Sequence, residues 1–170
     1  MAYSNVAAGD VILASTINDL IAQGLNKPTV RLVQAVAQSI ADNTLTAITY
    51  TTEDIDTHSF HSTTSNTSRI TPTVPGLYAF RAMYFSGAPT TLVSLDGSLR
   101  KNGSTQIAGA GRGNAGALGQ SQPAFAVVEC NGTTDYVEHM ALQDSAGATN
   151  TSISLRFTSM FECWLLRGPL

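Results

Sequence analysis

The sequence predicts an all-β protein, an antiparallel sandwich or jelly roll, and three observations carry that prediction. Apolar runs of strand length recur after Pro28 with no convincing helical period between them. Neighbouring strands must then be antiparallel, because a parallel pair needs a long crossover, usually a helix. Two Asn-Gly pairs, Asn102-Gly103 and Asn131-Gly132, punctuate the runs; both residues of such a pair tolerate the positive φ that tight hairpins require. Finally, only 12% of the 170 residues are charged, about half the usual share. Thr, Ser, Asn, Ala and Gly fill the gap, giving a polar but uncharged surface.

The first 27 residues stand apart. Ser15 or Thr16 suits a helix N-cap, and Thr16-x-x-Asp19 resembles a capping box with Asp in place of the usual Glu. Ile17, Leu20 and Ile21 fall on one helical face, and Gly24 suits the position just past a helix end. Two turns of helix do not persist alone. The segment needs a surface to pack on, either its own domain or another protein, and docking on another protein is the expectation adopted. The predicted organisation is therefore an anchoring arm over residues 1–27 and a β head over residues 28–170.

The head begins with Val30, Leu32, Ala35, Val36 and Ile40, an imperfectly alternating run, and continues with alternation over Leu45–Tyr50. A Thr/Ser-rich stretch then gives way to "SRITPTVPGLYAF", Ser68 to Phe80. There Pro75 fixes φ and Gly76 permits a sharp reversal before a central strand. Over Leu77–Ser86 both faces are apolar, with Tyr78, Phe80, Ala82 and Tyr84 on one and Leu77, Ala79, Met83 and Phe85 on the other. Further strands are expected over Thr91–Arg100, over Ala124–Glu129 and Tyr136–Leu142 flanking a tight turn, and as one long run over Ile153–Leu166. About eight to ten strands in roughly 140 residues suits a sandwich or jelly roll.

A net charge of −3 argues against nucleic-acid or anionic-membrane partners, which need clustered Lys and Arg. No window is apolar for the roughly 18 residues of a membrane helix. The start, "MAYSNVAAGDVILASTINDL", lacks a basic n-region and a long apolar stretch, so it does not read as a secretory signal. Without a recognisable secretory signal, Cys130 and Cys163 are expected as buried free thiols.

Patterns that could carry chemistry have stronger structural readings. Gly111-Arg112-Gly113-Asn114-Ala115-Gly116 matches G-x-G-x-x-G, but the motif works only between a strand and a helix. Here Gly119 and Pro123 break any helix, leaving a Gly/Ala loop. His58 and His61 lack a convincing third metal ligand. Glu53, Asp54 and Asp56 have the composition of a glycosidase acid pair but read as a solvated turn. Cys130 and His139 are a formal nucleophile–base pair whose better reading is packing in one hairpin. Without secretion, the N-x-[ST] sequons at Asn66, Asn102, Asn131 and Asn150 read only as Asn/Thr-rich loops. Neither an enzymatic site nor a cofactor or metal site is expected.

From Val30 to Leu166 the order of features resembles the globular head of complement subcomponent q, in the tumour necrosis factor-like superfamily. The residues carrying it are "SRITPTVPGLYAF", "SLRKNGS" at Ser98–Ser104, "VVECNGTTDYVEHMAL" and "FTSMFECWLL". One departure stands out, Glu162 where that superfamily's final Phe-rich strand has glycine. The resemblance implies a trimer packed through an aromatic-rich sheet, with Tyr78, Phe80, Tyr84, Phe85, Phe157, Phe161 and Trp164 in its core or interface. The N-terminal "AAGDVILASTINDL" is similar to the opening of many tailed-phage virion proteins. Together these give the functional expectation: a trimeric capsid decoration or head-surface protein, assembled in the host cytoplasm and anchored to a capsid or tail protein through Ile17, Leu20 and Ile21. The alternatives are a minor tail or fibre-tip protein binding a host surface glycan or protein and, less favoured, a virion glycan hydrolase.

Overall fold

The computed structural model describes residues 27–87, 93–109, 113–114, 123–154 and 157–168. The expected helix with Ile17, Leu20 and Ile21 lies outside them, as does most of the Gly-rich loop. The described residues form strands β1 (Thr29–Val33), β2 (Ser39–Ile40), β3 (Thr46–Ala47), β4 (Thr52–Asp56) and β5 (Arg69–Ile70). Then come β6 (Gly76–Met83), β7 (Ser94–Lys101), β8 (Thr105–Gly109), β9 (Gly113–Asn114) and β10 (Ala124–Cys130). The last five are β11 (Val137–Asp144), β12 (Thr149–Asn150), β13 (Ile153–Ser154), β14 (Phe157–Thr158) and β15 (Met160–Arg167).

Two antiparallel sheets form the sandwich. One has the order β10-β6-β15-β1-β4; the other runs β3-β11-β7-β8, with β5 also on β11 and β9 on β7. Alternation decides which side chains meet between them. Tyr78, Phe80 and Ala82 of β6 face inward with Phe161 and Cys163 of β15 and Val30 and Leu32 of β1. From the other sheet come Leu95, Leu99, Val137 and Ala141, with fully buried His139 among them. Tyr50 and Phe161 lie at the centre, their rings 6.1 Å apart, with Phe80 6.2 Å from Phe161.

The "VPGLY" stretch has a different physical basis from the turn expected of it. Gly76 starts β6 in extended conformation, and what it provides is close approach. A Cβ there would stand 2.6 Å from the Arg167 carbonyl oxygen and 2.7 Å from the Leu165 side chain. Pro75 in turn lies against Gly132, where a Cβ would meet the Pro75 nitrogen at 2.6 Å. Tyr78 ties the segment down by donating its hydroxyl hydrogen to the Val74 carbonyl at 2.7 Å.

The two Asn-Gly pairs do different jobs. Asn102 and Gly103 have φ of 53° and 75° and join β7 to β8 as a tight hairpin. The second pair does not close a hairpin. β10 pairs with β6 and β11 with β7, so the chain crosses from one sheet to the other at this turn. Asn131 organises the crossing: its Oδ1 accepts backbone N–H bonds from Thr133, Thr134 and Asp135. Nor is Ile153–Leu166 one strand. β13 and β14 fold on each other, Ile153 opposite Thr158, before β15 enters the sheet.

Candidate functional site

The face of the β10-β6-β15-β1-β4 sheet that points away from the core is the most distinctive surface among the described residues. On β10, Ala124, Ala126, Val128 and Cys130 are buried, while Phe125 and Val127 on the opposite side are 55% and 50% exposed. Register places Val127, Ala79, Trp164 and Thr29 in one row across four strands. Phe125 leans on half-buried Trp164, ring centroids 6.5 Å apart. The adjacent row runs Phe125, Arg81, Glu162, Arg31. Its charges are joined: Arg31 Nε lies 3.3 Å from Glu162 and 3.6 Å from Asp54, and Arg81 reaches Glu162 at 3.7 Å. A clustered apolar patch left open on a sheet face is a mark of a docking or ligand-binding surface.

The residues expected at a core or interface divide between the two environments. Tyr78, Phe80, Tyr84, Phe85 and Phe161 are buried within the protomer. Trp164 is half-buried on the outer face. Of Phe157 only the backbone, in β14, is described. Phe125 and Val127, the most exposed apolar members of the outer face, were missed. The signal for them was present: in "AFAVVEC" the small or buried residues alternate strictly with Phe125, Val127 and Glu129.

The acidic cluster requires a correction. Glu53, Asp54 and Asp56 lie on strand β4, not in a solvated turn, and each carboxylate has its own partner. Glu53 meets His61 Nδ1 at 2.8 Å, and Asp54 meets Arg31. Asp56 accepts backbone N–H bonds from His58, Phe60 and His61. Asp56→Ala leaves three N–H donors without this acceptor and should cost about 1–3 kcal/mol, read as a lower denaturant midpoint. An unchanged midpoint would show that water replaces the carboxylate at no cost. The two histidines also diverge. His58 Nδ1 is 2.8 Å from the Thr57 hydroxyl, whereas His61 bridges Glu53 and, at 3.1 Å, the Thr67 carbonyl.

Cys130 and His139 do not form a reactive pair. They lie on strands of different sheets, and His139 Nδ1 is engaged by the Tyr50 hydroxyl at 2.7 Å. Burial lowers the His139 ring to a pKa of about 3 and pushes the Cys130 thiol up to about 11, with Lys101 working the other way. A thiol so rarely ionised is a poor nucleophile. Cys163 is pushed up further, again by burial. Strand β6 lies between the cysteine strands. Cys130 stands opposite Gly76 and Cys163 opposite Phe80, so the two are offset along β6 as well as separated by two inter-strand spacings, more than about 9.5 Å in all and beyond the roughly 7 Å limit for a disulfide.

No family model matches the sequence, nor does any curated protein. Solved structures do match. Murine APRIL at pH 5.0 superposes with a TM-score of 0.58 at 10% identity, over 82% of this chain and 99% of that one. A second murine APRIL structure, at pH 8.0, gives 0.54 at 12% identity over the same shares. Eiger TNF from S. frugiperda gives 0.50 at 10% identity, over 85% of this chain and 95% of that one. At such identities the likeness speaks for the fold alone, and the described head has the tumour necrosis factor-like jelly-roll fold.

Proposed function

We propose that this chain is a non-catalytic structural protein of a tailed-bacteriophage particle, a homotrimer displayed on the capsid surface and held there by residues 1–27. The observation that carries the trimer is the outer face of the five-stranded sheet, where Phe125, Val127 and Trp164 leave an apolar patch uncovered. Three copies arranged in a ring can each bury this face against a neighbour, and a closed ring limits assembly. The virion role rests on the sequence "AAGDVILASTINDL" and on the uncharged, Thr- and Asn-rich surface. Three weakly docking arms on one trimer would reinforce each other through effective concentration. A second reading, a tail or fibre-tip protein that binds a host surface glycan or protein, is favoured by the rigid polar turn Asn131–Asp135 beside Asn102 at one end of the sandwich.

Light scattering on the purified chain should give a trimer at micromolar concentration. Phe125→Asp with Val127→Asp should weaken that trimer by at least about tenfold, with little loss of protomer stability, since both side chains already face water. A truncation starting at Lys27 should remain a folded trimer but fail to bind particles stripped of the native protein. A stable native monomer would refute the trimer. A truncated head that binds particles as well as the full chain would refute the anchoring arm.

A further inference from the structure

The outer sheet face presents a problem for burial. Beside the patch of Phe125 and Trp164 stand two arginines, Arg31 and Arg81, both about half-exposed. An arginine buried without a counter-charge opposes assembly strongly. Glu162 sits between the two on the central strand β15, in contact with both, and is itself mostly shielded, at 18% side-chain exposure. Asp54 completes the balance on Arg31, so two positive and two negative groups form one neutral chain across four strands.

Resting on the trimer reading above, we infer that Glu162 is the residue that makes this face fit for burial against further copies of the same chain. It cancels the charge of Arg81 and shares that of Arg31, so that the apolar row beside them can be dehydrated. The occupant is another copy because this charged row is internally neutral, and therefore offers no net charge to attract a strongly acidic or basic partner. In the separated protomer both arginines keep about half of their exposure, so water screens the same ion pairs and they contribute only modestly to stability. The role of Glu162 is therefore expressed in assembly.

The test is a charge cycle on the full-length protein, read by analytical ultracentrifugation for trimer affinity and by denaturant midpoint for protomer stability. Glu162→Gln keeps the shape but leaves Arg81 unbalanced. It should raise the dissociation constant by at least about tenfold with an almost unchanged protomer midpoint. Adding Arg81→Gln restores neutrality, because Arg31 retains Asp54, and should recover most of the affinity. Native-like assembly of the Glu162→Gln variant would overturn the inference while leaving the trimer intact. Failure of Arg81→Gln to rescue would overturn it too, since Glu162 would then act by contact and not by charge. A native chain that is monomeric throughout would remove the trimer reading itself, a result distinct from the other two.

Discussion

The protein should lose stability steeply on acidification, by up to roughly 1.4 kcal/mol per pH unit from His139 alone. The ring is fully buried between Tyr50 and Phe161, its centroid 6.3 Å and 6.0 Å from theirs. Its Nδ1 meets the Tyr50 hydroxyl at 2.7 Å, and among the described residues its Nε2 has no hydrogen-bond partner. Burial therefore holds the folded ring neutral down to about pH 3, whereas an unfolded histidine takes up its proton near 6.5. Between those values the unfolded chain binds more protons, so lowering the pH favours unfolding. Above 6.5 both states are neutral and the contribution is flat; below about 3 both are protonated and no further loss arises from this group. Across the window the total is a few kcal/mol, a large part of an ordinary 5–15 kcal/mol. His139→Gln keeps a polar partner for Tyr50 but cannot titrate. Its stability should fall less steeply, by up to roughly 1.4 kcal/mol per pH unit, over the range where the native curve falls. Parallel curves for the two proteins would sink the assignment. Asp135 acts lower down. Burial works against its charge, but bonds from Asn102, Lys101 and the Asn131 backbone outweigh that and hold its carboxyl below 3.8, so its contribution disappears only as that carboxylate protonates.

Phe161→Ala should be the most damaging single truncation of the core, at about 3–5 kcal/mol. Phe161 is fully buried on β15 and its ring meets Tyr50, Phe80 and His139. Its neighbours come from both sheets, so the hole left by truncation is walled by two hydrogen-bonded ladders that resist collapse. Denaturant unfolding at fixed protein concentration should show a lower midpoint with an unchanged slope. A loss below about 1 kcal/mol would mean that the aromatic cluster repacks, against the rigidity that close-packed interiors ordinarily show.

Much of the sandwich was legible in the sequence because its signals are local. The Asn102-Gly103 hairpin needs only two residues that accept positive φ, and the buried row Tyr78, Phe80, Ala82 and Tyr84 needs only alternation. Features set by distant partners were not legible. Pairing of β10 with β6 and of β11 with β7 depends on which sheet each strand joins, and "CNGTTDYV" looks the same for a hairpin as for a crossing. Gly76 was recognised, but its reason, the approach of Leu165 and Arg167 from the other end of the chain, appears only in three dimensions. The candidate face was half-visible: Trp164 was singled out, while Phe125 and Val127 passed as ordinary strand residues. Glu162 was noticed as an oddity, and its contacts with Arg31 and Arg81 supply the physical content.

The placement of β6 between the two cysteine-bearing strands has a consequence for where such a protein can work. Cys130 and Cys163 are the chain's full complement of thiols, and in the native sandwich they cannot reach each other. Their burial also keeps them protonated and hidden from external oxidants. The fold therefore owes none of its strength to a cross-link and has none to lose. A glutathione-rich interior and an aerobic exterior should look alike to it, with the same melting temperature with or without reductant. Such a domain needs no oxidase to mature and no reductase to recycle it, and it can cross from one redox regime to the other unchanged.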